Sequence, residues 1–437
     1  MSNSHLSVPK YDQEPQNFSR SQAWSHSEDN DNKSHYTIRK AESRTSLCSY
    51  RSSRDLLDFI ADIRGRMYSS MSDLYVLPSD QEEWERLNKF HNSLLLALGN
   101  LCPDMDIVDT ILAPPSGASK SVLDLGCGTG RWCMEMGYRY PNADVVGVDL
   151  VPYPLNPDTT AQQCHFELDN VDLGLSHFFD QFDLVHARCI ELGLSDYKKM
   201  VEEATFCLRP GGLLILAEID WQLYEEDMKT PVIPASDEHP KGCWIQRFLE
   251  ESRDAACKNG SDLLETRQVL QEGLWDKPNI DNTTCRSASL YLPISNPSEV
   301  QELPRRMESA ASLMKQNLMV LHRSLHRILR TAEISQEQLD QWSSEADKEL
   351  ERGDKRLWIR VRYAWGRREA SPEASPTEPS STDTESSASS HPVARGEGSF
   401  LSAEIHQMLK AETELYPYFY IYQTQEEARA AFHSQGD

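Results

Sequence analysis

The sequence lacks the excess of basic residues with which proteins hold nucleic-acid backbones. It contains 44 Lys and Arg against 69 Asp and Glu, which gives a formal net charge of −25 and a pI near 4.9. Non-specific binding to phosphates depends on clustered cationic side chains that displace counterions. We therefore expect no direct contact with nucleic acid.

Long apolar runs and paired cysteines are also missing. No stretch approaches the roughly 20 apolar residues that a transmembrane helix needs, and the first residues, MSNSHLS, lack the apolar core of a signal peptide. The ten cysteines are scattered without a C-x-x-C pair, so neither a zinc site nor a disulfide framework is indicated. We expect no metal, no membrane contact, and a location in the nucleus, the cytoplasm or both.

Two segments are too polar to form a hydrophobic core. Residues 1–54 are rich in Ser, Asn, Asp and Gln, and residues 370–399 are a mixture of Ser, Pro and acidic residues. Such compositions bury too little apolar surface to offset the entropy of ordering, so both segments are predicted to be disordered. The globular domain is expected at 55–369. Beyond the linker, 400–437 combines apolar residues at helical spacing with an aromatic strand-like run, and it is expected to dock back or bind a partner.

Strand and helix patterns alternate through the domain. Alternation of this kind is typical of a parallel sheet covered by helices on both faces. We predict a doubly wound, mostly parallel, seven-stranded, Rossmann-like α/β sheet with helical insertions. The apolar runs that predict its strands are 122–126, 144–149, 164–169, 182–188, 213–218, 285–294 and 355–366.

A glycine-rich turn follows the first predicted strand. It reads Asp124-x-Gly126-x-Gly128-x-Gly130, and glycines there allow a sharp turn and close approach of the backbone to a ligand at the start of a helix. A dinucleotide-binding fingerprint would have Gly or Ala at the position of Arg131, whereas an acid two residues before the glycines is typical of S-adenosylmethionine-dependent methyltransferases. Asp149 lies 19 residues after Gly130, at the end of the second strand, where a carboxylate can accept both ribose hydroxyls. S-adenosyl-L-methionine is therefore the predicted cofactor.

Three further polar residues complete the predicted cofactor site. Asp124 could accept a hydrogen bond from the methionyl ammonium, although a capping role is the alternative. Asp169 and Asn170 end the third strand, where the carboxylate could accept from the adenine amino group. The predicted cofactor-binding residues are thus Asp124, Gly126, Gly128, Gly130, Asp149, Asp169 and Asn170.

No catalytic residue is assigned from the sequence. His186 and Arg188 close the fourth strand at the same edge, and either could touch the methionine carboxylate or a substrate, or serve a structural role. Methyl transfer from a sulfonium can be driven mainly by alignment, and a general base is needed only when the acceptor must lose a proton. We expect the cofactor half at about 115–220 and a helical lid over the acceptor at about 221–353.

Several motifs together resemble the LaeA-like fungal methyltransferases of class I. They are Tyr75-Val-Leu-Pro-Ser-Asp80 with Arg86-Leu and His91, the loop 122–132, Tyr140-Pro through Pro152, Phe182-Asp-Leu-Val-His-x-Arg188, and Leu208-Arg-Pro-Gly-Gly212. The resemblance covers about residues 65–369. It implies a nuclear or cytoplasmic setting and a link to the regulation or biosynthesis of secondary metabolites, with velvet-type regulators as possible protein partners. Of the two, we expect a regulator that acts through protein partners.

The methyl acceptor stays open at this stage. A protein side chain and a small secondary metabolite are both compatible with the sequence, so a biosynthetic methyltransferase is the alternative to a regulator. A regulator that binds the cofactor without turnover is a third hypothesis.

Overall fold

The computed structural model of the chain describes most of the predicted domain and parts of both flanking segments. Within the predicted tail 1–54 it describes two short strands, and the predicted linker 370–399 lies outside the described residues apart from Ala370, so the disorder of both segments stays a prediction. The described residues are 36–39, 47–49, 60–63, 65–113, 118–151, 161–294, 305–353, 355–370, 402–411 and 416–433.

A ten-stranded sheet and a separate two-stranded hairpin contain the strands of the described residues. The hairpin is formed by β3 and β4. The strands are β1 Tyr36–Arg39, β2 Leu47–Ser49, β3 Ile60–Ile63, β4 Arg66–Ser69, β5 Lys120–Leu125, β6 Ala143–Asp149, β7 Cys164–Leu168, β8 Phe182–Arg188, β9 Leu208–Tyr224, β10 Ile280–Pro293, β11 Trp358–Arg368 and β12 Phe419–Tyr422.

Helices connect and cover these strands. No helix within the described ranges is both long and apolar enough to cross a bilayer. The helices are α1 Gln81–Leu98, α2 Met105–Leu112, α3 Arg131–Arg139, α4 Tyr197–Cys207, α5 Trp244–Asn259, α6 Leu263–Glu272, α7 Arg305–Ser324, α8 His326–Thr331, α9 Gln336–Arg352, α10 Ala403–Ala411 and α11 Gln425–His433.

The order of strands in the sheet confirms the predicted fold class. Across the sheet the order is β12-β10-β11-β9-β8-β5-β6-β7-β1-β2. The pairs from β9 through β8, β5 and β6 to β7 are all parallel, whereas β11 is antiparallel to both of its neighbours, β9 and β10. The seven strands from β10 to β7 correspond to the seven predicted runs. This is a doubly wound, Rossmann-like sheet with one antiparallel strand inserted near its edge.

The flanking segments add strands at both edges of the sheet. β1 pairs in parallel with β7, and β2 pairs with β1. At the other edge β12 pairs with β10, and the buried Tyr416 donates its hydroxyl to the carbonyl of Tyr291 at 2.7 Å. The aromatic C-terminal run therefore docks back on the domain, which is one of the two outcomes expected for it.

Alternation along the central strands separates two hydrophobic cores. Within β5, Val122 faces one core, whereas Leu123 and Leu125 face the other. The same alternation places Leu184 of β8 in the first core and Val185 in the second. Because successive side chains of a strand point to opposite faces, runs buried on both faces read as continuous apolar segments.

Helix α1 lies beside the cofactor half of the sheet and packs against α7. It begins at Asp80, whose side chain accepts the backbone N–H of Glu83, and it ends at Gly99 in the left-handed region, with a φ of 74°. On the buried side, Arg86 donates to Asn317 of α7 at 2.6 Å. The apolar spacing of α7 predicts a helix packed on the sheet. It does contact β10, but its larger interface is with α1, which it meets through this hydrogen bond and the apolar residues around it.

Candidate functional site

The carboxyl ends of four neighbouring parallel strands meet at one cavity. Polar residues at the ends of β5, β6, β7 and β8 line it, as expected for a ligand site in an open α/β sheet. Of the predicted cofactor residues, those that line this cavity are Asp124, Gly126, Gly128, Asp149, Asp169 and Asn170.

The glycine-rich turn from Gly126 to Gly130, the glycine loop, has the backbone conformation that its sequence predicts. Gly126, Gly128 and Gly130 have φ values of 68°, 56° and 69°, in the left-handed region that residues with a side chain rarely adopt. A Cβ on Gly128 would have only Leu87 nearby, at 3.6 Å, so this glycine leaves room beside the cavity. Gly130 is different: it does not line the cavity, and a Cβ there would lie 2.6 Å from the ring of Phe166. Its role in the structure is close packing at the start of α3.

Asp149 is joined to the glycine loop by a hydrogen bond. Its Oδ2 accepts the backbone N–H of Gly128 at 2.7 Å, and its Oδ1 accepts the N–H of Val151 at 3.2 Å. Burial raises the pKa of Asp149 to about 6, against the opposing effect of these backbone hydrogen bonds. The carboxylate is therefore ionised at neutral pH but takes up a proton under mildly acidic conditions.

Cofactor affinity is expected to depend on pH through Asp149. Ribose hydroxyls would donate to the ionised carboxylate, so a proton competes with the ligand as the pH falls through about 6. Calorimetry with S-adenosylhomocysteine should show a dissociation constant that is level above pH 7 and rises by up to about tenfold per pH unit below pH 6.

The matched control for this titration is Asp149→Asn. The amide oxygen still accepts from Gly128 but does not titrate, so the variant should bind more weakly at pH 7.5 and show a flat profile between pH 5 and 7. An equally steep profile in the variant would assign the pH dependence to another group.

Asp124 is held by its neighbours at the end of β5. It is 3% exposed; its Oδ1 lies 2.7 Å from His186 Nδ1, and its Oδ2 accepts the thiol of Cys133 at 3.2 Å. The imidazole of His186 stacks on Trp132 with ring centroids 4.0 Å apart. Burial lowers the pKa of His186 despite the neighbouring carboxylate. These contacts fix His186 as a partner of Asp124, and the remaining lone pairs of Asp124 are the ones that could serve the methionyl ammonium.

Asp169 and Asn170 line the cavity just after the end of β7. Asp169 Oδ1 accepts the backbone N–H of Asn170 at 2.8 Å, and its Oδ2 lies 2.8 Å from His177 Nε2. The side chain of Asn170 accepts from the backbone N–H of Asp172 and donates to the carbonyl of Met71. The predicted contact of Asp169 with adenine would therefore be made beside the imidazole of His177.

One wall of the cavity comes from a helix that the sequence did not assign to the site. Leu87, Phe90 and His91 share a face of α1 at helical spacing, and all three line the cavity. His91 Nδ1 lies 3.0 Å from Nη2 of Arg188, at the end of β8. The signal was present in the spacing of positions 87, 90 and 91, but nothing in the sequence alone showed which strand this face would meet.

The predicted helical lid, 221–353, contributes no residue to the lining of this cavity. Every residue that lines the cavity lies between Tyr75 and Leu194, so none comes from 221–353. A role for that segment in covering the acceptor stays a prediction.

Comparison with known proteins places these features in context. The family model of a methyltransferase domain matches residues 102–252, which include the glycine loop and β8. The secondary metabolism regulator laeA of Coprinopsis cinerea is 30% identical over 308 residues, which cover 70% of this chain and 73% of that protein.

Two other relatives match over shorter stretches. Methyltransferase str2 of Strobilurus tenacellus is 31% identical, over 41% of this chain and 66% of that protein. The protein-methionine methyltransferase laeA of Emericella nidulans is 29% identical, over 36% of this chain and 40% of that protein.

Proposed function

We propose that this chain, which belongs to the LaeA-like family of S-adenosylmethionine-dependent methyltransferases, regulates secondary metabolism by methylating a protein partner. The premise of family membership rests on the Coprinopsis cinerea relative, whose similarity extends over most of both chains. The observation in the structure that carries the activity is that β5, β6, β7 and β8 all contribute polar residues to one cavity.

The residues of the cavity suit S-adenosylmethionine. Gly128 leaves space for close approach, Asp149 offers a carboxylate at the end of β6, and Asp124 places a second carboxylate on β5. Negative charge from these groups complements a ligand that carries a sulfonium and an ammonium. When bound, the cofactor supplies an electrophilic methyl group. The chain contributes binding and alignment, with apolar α1 side chains such as Phe90 restricting water on one side.

A protein acceptor is favoured by what the relatives are named for. One is a secondary metabolism regulator and another is a protein-methionine methyltransferase. The Ser- and Pro-rich segment 370–399 fits a partner-binding or modifiable region, since segments of this composition commonly take these roles. We include velvet-type regulators among the candidate partners, and a nuclear or cytoplasmic location, on the resemblance to this family.

A labelling experiment separates the regulator from the biosynthetic enzyme. The full chain is incubated with methyl-labelled S-adenosylmethionine and with extract from cells that lack its gene, and protein and small-molecule fractions are counted separately. The proposal expects label in protein. Label confined to one metabolite would establish the biosynthetic alternative, and label in neither, with cofactor binding intact, would indicate binding without turnover.

The linker should be tested without disturbing the docked C-terminal strand. Because β12 pairs with β10 and Tyr416 is buried, deletion of everything after residue 370 would uncover part of the sheet. Replacing residues 371–399 with a Gly/Ser linker of equal length is the cleaner variant. Loss of partner capture with unchanged cofactor affinity is the result expected of a regulatory segment.

A further inference from the structure

His91, which lines the cavity, has a buried hydrogen-bonding atom that is unused. The residue is 3% exposed and lines the cavity, and its Nε2 has no hydrogen-bond partner among the described residues. A buried donor or acceptor without a partner destabilises the folded state, so such atoms call for an explanation. A ligand in the cavity would supply the missing partner.

The contact with Arg188 decides which kind of partner is needed. A guanidinium only donates hydrogen bonds, so His91 Nδ1, 3.0 Å from Nη2 of Arg188, must be the acceptor. The proton of a neutral imidazole then lies on Nε2. Burial lowers the pKa of His91 well below its usual value, and Arg188 and Arg131 act in the same direction. The free atom of His91 is therefore an N–H donor.

Position along the sheet adds a second constraint. Asp169 and Asp149 lie at the ends of β7 and β6, the glycine loop follows β5, and Arg188 ends β8 on the other side of β5. His91 and Arg188 therefore meet the cavity at the end farthest from the residues predicted to hold adenine and ribose. A permanent positive charge and an oriented N–H donor lie together at that end.

We infer that His91 and Arg188 form a subsite for an anionic oxygen, most simply a carboxylate, at the end of the cavity where methyl transfer takes place. The inference rests on the proposed methyltransferase function and deepens it. The oxygen has two possible sources, the amino-acid end of the cofactor and the methyl acceptor. Both share the chemistry of an acceptor that takes one hydrogen bond from His91 Nε2 beside a guanidinium.

The first arm of the test identifies a carboxylate of the cofactor. Calorimetry on the full chain compares S-adenosylhomocysteine with 5′-methylthioadenosine, which retains the nucleoside but lacks the amino-acid carboxylate. If the cofactor supplies the oxygen, His91→Phe should weaken S-adenosylhomocysteine by about tenfold or more, since hydrogen bonds to charged groups are the strong ones. The affinity for 5′-methylthioadenosine should stay unchanged.

The second arm identifies a carboxylate of the acceptor. Protein saturated with S-adenosylhomocysteine is titrated with acetate and with benzoate. If the acceptor supplies the oxygen, the wild type should bind one of these probes, whereas His91→Phe and Arg188→Met should not, with S-adenosylhomocysteine affinity preserved in both variants.

Two results would overturn the subsite. One is wild-type behaviour of His91→Phe and Arg188→Met in both arms; the other is an equal loss of both nucleosides in folded variants, which would mean a general packing role. His165→Phe is the control, because His165 pairs with Asp144 away from the cavity. Failure of the wild type to bind either nucleoside would instead reject the proposed function, so the two failures are distinguishable.

Discussion

Gly128→Val is expected to weaken the binding of S-adenosylhomocysteine by about 100-fold or more, the equivalent of about 2.7 kcal/mol. Gly128 has a φ of 56°, where a β-branched residue is strained by roughly 1–3 kcal/mol. A Cβ there would lie 3.6 Å from Leu87, so the methyl groups of valine would extend between α1 and the ligand. Relief of the strain would also move the N–H that Asp149 accepts. Calorimetry at pH 7.5 measures the effect.

Gly65→Val is the matched control for backbone strain. Gly65 also has a positive φ, of 81°, but it lies next to β4 of the hairpin and a Cβ there would meet nothing within 4 Å. It should lose some stability and keep its affinity for S-adenosylhomocysteine. Equal affinities for the wild type and folded Gly128→Val would remove the glycine loop from the cofactor site.

Asp220→Ala is expected to lower the free energy of unfolding by about 3–5 kcal/mol, because it removes a buried carboxylate that lies against two buried guanidinium groups. Asp220 of β9 lies 2.5 Å from Arg360 and 3.4 Å from Arg362, both on β11, and all three residues are less than 9% exposed. Tyr224 also donates to the same carboxylate at 2.9 Å. Burial opposes ionisation of Asp220, but the two arginines outweigh it and hold its pKa well below the usual value.

The control for this loss of stability is an exposed ion pair just after the end of β9 and just before the start of β11. Glu226 pairs with Arg356, and both side chains are more than one third exposed. Glu226→Ala should therefore change the free energy of unfolding by no more than about 1 kcal/mol. Urea denaturation of the wild type and the two variants measures both changes in the free energy of unfolding. Similar losses for Asp220→Ala and Glu226→Ala would contradict the role of the buried Asp220 ion pairs in joining β9 to β11.

The cofactor half of the site could be predicted because its signals are local. A turn that requires a positive φ selects glycine, and the chain from Gly126 to Asp149 contains only the turn, the helix and the second strand of one βαβ unit. A carboxylate that ends a short apolar strand can be assigned to the edge of the sheet without any knowledge of the rest of the fold. Gly130 shows the limit of such reasoning, because a motif position can be filled for packing, here against Phe166, rather than for contact with the ligand.

The other half of the site depends on contacts between distant parts of the chain. His91 meets Arg188 from 97 residues away, and α1 is held in place by α7, through Arg86 and Asn317, 231 residues apart. Hydrophobic periodicity shows that each helix has a buried face but not which element covers it. For the same reason the spacing of α7 predicted its contact with the sheet but not its larger interface with α1.

The C-terminal segment illustrates a choice that periodicity cannot make. An aromatic run is equally suited to an edge strand of its own domain and to a partner's surface. The deciding contact is the bond from Tyr416 to the carbonyl of Tyr291, followed by pairing of β12 with β10. Neither could be inferred from the composition of residues 416–422.

A crystal structure of the full chain with S-adenosylhomocysteine tests the central claim most directly. The account predicts the nucleoside between the glycine loop and the ends of β6 and β7, with the ribose hydroxyls on Asp149 and the amino-acid end directed towards the end of β8. Density for the ligand elsewhere, or a ribose that does not touch Asp149, would contradict it.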